Sequence, residues 1–161
     1  MKYKYVKELM TAPAITCDEN VSIKEVIKIL KEKNIGFIPV TKGNILVGVV
    51  TDRDILIRGI GIYKLSSKIN KVMTNGEIHF VSPTTLLIDA VKIMSANKIR
   101  RLVVLNDGKV EGVITTKNML KDPSLLPYII DTYNENTTLN AYSLYLNSNP
   151  HDSVKAEDYP L

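Results

Sequence analysis

The chain has 161 residues, 45% hydrophobic and 24% charged, with a formal net charge of +4 and a single cysteine. Such values fit one globular domain or two small units sharing a core, and one cysteine excludes an intrachain disulfide and any cysteine-rich metal site. Residues 1–123 carry 20 Lys and Arg against 12 Asp and Glu, while residues 124–161 carry one Lys against five acids, so the basic body attracts anions, nucleotides and nucleic acids alike.

The longest apolar run around residues 45–50 is a strand's length, which leaves no transmembrane helix, and the first six residues lack the apolar stretch of a signal peptide. A cytoplasmic protein is the expectation. The chain begins with a short helical turn over residues 6–11, ended by proline chemistry at Ala12-Pro13. An extended piece, residues 14–17, and the polar turn Asp18-Glu19-Asn20 follow. Ile23, Val26, Ile27 and Leu30 then share one helical face, with Lys24, Glu25, Lys28, Lys31 and Glu32 turned outward. Ser22 and Glu25 have the spacing of a capping box for that helix. Two apolar strands, 37–40 and 45–50, flank a turn at Lys42-Gly43-Asn44.

The second strand runs into Gly48-Val49-Val50-Thr51-Asp52-Arg53-Asp54-Ile55-Leu56, and this pattern returns 64 positions later as Gly112-Val113-Ile114-Thr115-Thr116-Lys117-Asn118-Met119-Leu120. The earlier landmarks return with it. Residues 69–74 echo the first turn, residues 78–81 the extended piece, and Leu87, Ala90, Val91 and Met94 the helical face, with Thr85 as the expected cap. Residues 102–105 echo the strand, and Asp107-Gly108 marks the hairpin. An ordered set at a fixed offset is a duplicated unit. The order predicts an α/β (α+β) fold of two β-α-β-β-α repeats, each a three-stranded sheet with helices on one face. Two units of about 60 residues bury little alone, so they pack together with pseudo-twofold symmetry. The expected divisions are repeat 1 at 6–58, a glycine-bearing linker at 59–68, repeat 2 at 69–121, and a C-terminal extension at 124–161, partly helical or loose.

Few residues announce chemistry. Thr51 and Asp54 form a capping box at a helix start, a structural role in its own right. Arg100-Arg101 is a basic pair suited to phosphates, with a solvated surface or a salt bridge as the alternative; Arg53 and Lys117 leave the same choice open. Cys17 reads as an inert small residue in a strand. His79 and His151 have no metal-ligand spacing around them. No phosphate-binding glycine loop with Lys-Ser/Thr, nucleophile elbow or Cys-x-x-Cys is present, so the sequence reads as a binder and not an enzyme, with no catalytic or metal residues and no required cofactor.

The ordered set of Leu9-Met10-Thr11, short strand, amphipathic helix, Gly36-Phe37-Ile38-Pro39-Val40, hairpin and Gly48-Val49-Val50-Thr51-Asp52-Arg53-Asp54 resembles the cystathionine-β-synthase (CBS) domain. Its duplication resembles the tandem pair, or Bateman module, of stand-alone CBS-domain proteins, over roughly residues 6–121. The resemblance implies a regulatory module that binds an adenosine-containing ligand, AMP, ADP, ATP or S-adenosylmethionine, between the repeats. It implies Thr51 near ribose or phosphate, Asp54 on the ribose hydroxyls, and an adenine pocket lined by Ile15, Thr16, Gly36, Phe37, Ile38 and Pro39, with Arg53 beside them. It also implies a homodimer that signals to a partner protein.

The second copy departs from the pattern. Thr115 is kept, but Asn118 replaces the acid and Val103 the proline. An amide is a poorer acceptor for a diol than a carboxylate, which makes this the weaker expected site. Its residues are Val81, Arg100, Arg101, Leu102, Thr115, Lys117 and Asn118, the two arginines standing where the first copy has Gly36 and Phe37. Two other readings stay open: a nucleic-acid-binding protein using the basic body, and a structural adaptor with empty clefts.

Overall fold

Every strand pairing of the first half recurs 64 residues later. The structure, a computed structural model, describes residues 2–131. Strand β1 (Cys17–Asp18) runs parallel to β2 (Phe37–Lys42), which pairs antiparallel with β3 (Ile45–Thr51). The counterparts are β4 (Phe80–Val81), β5 (Arg101–Asn106) and β6 (Lys109–Thr115). Register is kept to the residue: Phe37 opposite Thr51 matches Arg101 opposite Thr115, and a bulge at Val40/Thr41 matches one at Val104/Leu105. The two three-stranded sheets join through one pair, Ile45 with Lys109, into a single sheet ordered β1-β2-β3-β6-β5-β4. The fold is thus α+β, as its repeats predict.

Helix α1 (Ile23–Lys33) buries Ile23, Val26 and Leu30. Its capping box is formed: the Glu25 N–H donates to Ser22 Oγ at 3.2 Å and the Ser22 N–H to Glu25 Oε2 at 2.9 Å. The Ser22 N–H first, and the Ser22 hydroxyl donating to the same oxygen at 2.7 Å, hold the Glu25 carboxyl below its ordinary pKa. Its partner α3 (Leu87–Ala96) buries Leu87, Ala90, Val91 and Met94, but Thr85 does not cap it. The cap position is Leu86, and the Thr85 hydroxyl accepts the Ser82 N–H at 3.0 Å within the preceding loop. Duplication explains this: Leu86 stands where Ser22 stands in the first half. Both helices also lean on a leading segment, with the Ile23 N–H donating to the Ser67 carbonyl and the Leu87 N–H to the Lys4 carbonyl.

Each half is completed by the other's leading segment. Val6 and Leu9 pack into the core of the second half, among Val81, Leu87, Val91, Met94, Leu102 and Ile114. Ile69, Val72 and Met73 pack into the first, among Ile23, Val26, Ile38, Val40 and Val50. Thr11 bridges Val113 of β6, and Thr74 bridges Val49 of β3, so each sheet's inner strand gains a short extra partner. Glycine makes the approach possible. A Cβ on Gly112 would lie 2.9 Å from the Thr11 carbonyl oxygen, and one on Gly48 3.0 Å from that of Thr74, beneath Met10 and Met73 respectively. The repeated Met-Thr and Gly-x-x-Thr elements are therefore partners across the halves, not within them.

After β3, α2 (Asp52–Asp54) widens into a π-helical turn, Ile55–Gly59, whereas α4 (Thr116–Met119) follows β6 directly. The chain then makes a tight turn at Pro123–Leu125 and the short α5 (Leu126–Asp131), with Leu125 and Ile129 in the second core. The rest of the expected C-terminal extension, residues 132–161 with His151, lies outside the described residues. Among the described residues no helix is long and apolar enough to cross a membrane.

Candidate functional site

Two clefts open where the halves meet, of about 580 Å³ and about 350 Å³, both within the range of small-molecule sites. Phe37 and Arg101 occupy equivalent positions, and the Arg101 guanidinium lies 5.9 Å from the centre of the Phe37 ring. These two residues and Arg100 line both clefts. The cation–aromatic contact thus stands between the clefts, near the pseudo-twofold axis.

The clefts recombine the candidate residues. Ile15, Gly36 and Phe37 line the larger one together with Thr115, Lys117 and Asn118. Thr51, Arg53 and Asp54 line the smaller one, facing Ile78, His79 and Ile99. The expectation that each repeat's leading strand and Thr-x-x-Asp element share a cleft is therefore corrected: Ile15 and Gly36 sit with the second copy's Thr115. Four candidates are core residues instead. Ile38 and Leu102 are wholly inaccessible, Val81 nearly so, and Pro39 is buried in β2. Thr16 is exposed and lines neither cleft.

The two helix starts look alike and differ in hydrogen-bonding capacity. In the smaller cleft the Asp54 N–H donates to Thr51 Oγ1 at 3.0 Å and the Thr51 N–H to Asp54 Oδ2 at 2.9 Å. Asp54 Oδ1 pairs with Arg58 at 2.7 Å, and the same guanidinium nitrogen donates to Thr74 Oγ1 at 2.8 Å. A carboxylate offers about four acceptor sites, so Asp54 keeps room for a diol. In the larger cleft Asn118 Oδ1 accepts both the Thr115 N–H, at 3.0 Å, and the Thr115 hydroxyl, at 2.6 Å. Its carbonyl is then saturated. Asn118 Nδ2 donates to Thr11 Oγ1 at 3.3 Å, which leaves one N–H and no acceptor to offer.

Gly36 lies hard against its neighbours: a Cβ there would sit 2.9 Å from Asp52 Oδ2. The equivalent position carries Arg100, opposite the buried Thr116. Sequence reading missed Thr11, Thr74, Arg58 and Lys121. The first two belong to the repeated Met-Thr element and were legible as landmarks, not as cleft residues. Cys17 is buried, and burial pushes its thiol pKa up to about 11. Among the described residues no group of three His, Cys, Asp or Glu is placed to hold a metal ion.

A family model for the CBS domain matches residues 6–60 and 69–124. The protein YlbB of Bacillus subtilis (strain 168) is 35% identical over 113 residues, 68% of this chain and 76% of that protein. The CBS domain-containing protein YhcV of the same organism is 32% identical over 110 residues, 68% of this chain and 78% of that protein. Among solved structures, the CBS domain pair of protein MJ0100, in complex with 5′-methylthioadenosine and S-adenosyl-L-methionine, superposes with a TM-score of 0.65 at 28% identity. The match covers 73% of this chain and 97% of that one. The CBS domain protein PAE2072 of Pyrobaculum aerophilum shares the fold at 24% identity, with a TM-score of 0.69, over 78% of this chain and 98% of that one.

Proposed function

The chain belongs to the CBS-domain family, carrying two such domains in tandem, and from that premise we propose a regulatory module that binds an adenosine-containing ligand between its halves. The observation that carries the reading is the pair of clefts flanking the Phe37–Arg101 contact, each walled by both halves. The adenosine compounds held by the MJ0100 pair support the ligand class. In the smaller cleft Asp54 takes ribose hydroxyls on its spare acceptor sites and the Thr51 element frames them. In the larger cleft Ile15, Ile35 and Gly36 offer a narrow apolar wall to the adenine ring.

A ligand touching both halves biases their packing only if it binds two arrangements unequally, and that difference is the signal. The output passes to a partner protein, and the module acts as a binder and not as a catalyst. Leu56, Ile57, Ile60 and Ile62, all more than half exposed along the π-helical turn and the linker, support a homodimer as the signalling unit.

A thermal-shift panel of AMP, ADP, ATP, S-adenosylmethionine and 5′-methylthioadenosine tests the reading. A ligand at a hundred times its Kd stabilises the folded state by about 2.7 kcal/mol, a visible shift. At least one compound should produce it, and Asp54→Ala should weaken the response. No shift with any of the five contradicts the proposal.

A further inference from the structure

The larger cleft is lined by four cationic side chains, Arg100, Arg101, Lys117 and Lys121, and by no carboxylate. Among the described residues, neither Lys117 nor Lys121 forms an ion pair. The Asn118 carbonyl is saturated by Thr115, and its spare group is an N–H donor. The charged lining of this cleft is therefore wholly cationic, and the Asn34 carboxamide, with an acceptor as well as donors, is its other amide. The smaller cleft differs: Asp54 and Glu77 line it beside its cations.

We infer that the larger cleft is a polyphosphate site: it takes the multiply charged anion of ADP or ATP and disfavours a ligand that carries a positive charge, such as a sulfonium. This deepens the proposed function and rests on it for the adenosine portion of the ligand. The phosphate portion rests on charge alone. Arginine's planar fork donates to two phosphate oxygens at once and lysines act as point charges, so a tail lying between the Arg100–Arg101 pair and the Lys117–Lys121 side meets both kinds. The Lys117 and Lys121 side chains are exposed, so salt screens part of their attraction.

Calorimetry on the whole chain with ATP, adenosine, S-adenosylmethionine and inorganic tripolyphosphate tests this. The comparison uses wild type, the double variant Lys117→Ala/Lys121→Ala, and Arg53→Ala, which alters the smaller cleft only. ATP should bind more tightly than adenosine, and added salt should close the gap. The double variant should weaken ATP and tripolyphosphate on the order of tenfold while leaving adenosine unchanged, with Arg53→Ala having the lesser effect on both. ATP binding no tighter than adenosine, or equal losses from Arg53→Ala and the lysine pair, overturns the polyphosphate site and leaves the adenosine reading standing. Tripolyphosphate bound through the lysines with no adenosine compound bound overturns the adenosine reading and keeps the anion site. Absence of binding by all four overturns both.

Discussion

The two halves are superimposable in register and opposite in charge at one place. At the third residue of the helix after β3 the first half has Asp54 and, one turn on, Arg58; the second has Asn118 and Asp122. Asp54 and Arg58 face each other across a turn at 2.7 Å, with Arg58 reaching Thr74. Asp122 turns inward instead, only 2% exposed, and accepts the backbone N–H groups of Lys2, Tyr3 and Ser124 and the Ser124 hydroxyl. One half uses the position beside a cleft, the other to fasten the chain's start. Strand register, glycine clearance and buried apolar positions are shared because both cores need them; the charged positions diverge because the duplicated frame does not depend on them.

Asp122, the inward-turned residue, carries the greatest stability. Burial pushes the Asp122 carboxyl up, but its hydrogen bonds from Ser124, Tyr3 and Lys2 outweigh this and hold its pKa below the ordinary value. A depressed carboxylate contributes stability in full above the pKa of unfolded aspartate, about 3.9. That stability is lost as pH falls through the lower folded value. Asp122→Ala should cost about 3 kcal/mol at neutral pH, read by denaturant unfolding, and should flatten the acid limb of the stability curve. Arg58→Ala, at the equivalent place, should do neither. An acid limb unchanged in Asp122→Ala would show that this carboxylate does not fasten the chain's start.

Next come the joints that the halves share. Gly48→Ala and Gly112→Ala each force a methyl against a backbone carbonyl from the opposite half, and each should cost about 2 kcal/mol. Similar losses in urea unfolding sharpen the equivalence; a large loss at one glycine and none at the other removes it. Smaller still are the caps. Thr51→Ala and Thr115→Ala each remove a side-chain acceptor from a helix start, for about 1 kcal/mol apiece. A clearly greater cost at Thr115, whose hydroxyl also donates to Asn118, would show that the amide box depends more on its threonine.

Much of this was legible in the chain. Periodicity and the 64-residue echo predicted the elements and their duplication, and the Ser22–Glu25 and Thr51–Asp54 boxes are local enough to be read from spacing. Exchange of the leading segments was not legible, because the pattern of Val6, Leu9 and Met10 marks an apolar face without saying which half covers it. The division of cleft residues failed for the same reason. The family resemblance assigns whole strand runs to an adenine pocket, yet neighbouring residues of a strand point to opposite faces, so Phe37 lines the clefts while Ile38 is core. Arg58 is not legible as a site residue, because an i, i+4 partner on a short helix looks like solvated surface until its second contact, Thr74, is in place.

Occupation of the clefts between the halves by adenosine ligands is open to an amide-resolved NMR titration with 5′-methylthioadenosine. Shifts should concentrate at residues such as Gly36, Thr51, Asp54, Thr115 and Asn118, which two halves bring to two clefts from distant parts of the chain. Saturating ligand that leaves those amides unmoved, or moves only the exposed apolar stretch from Leu56 to Ile62, would contradict it.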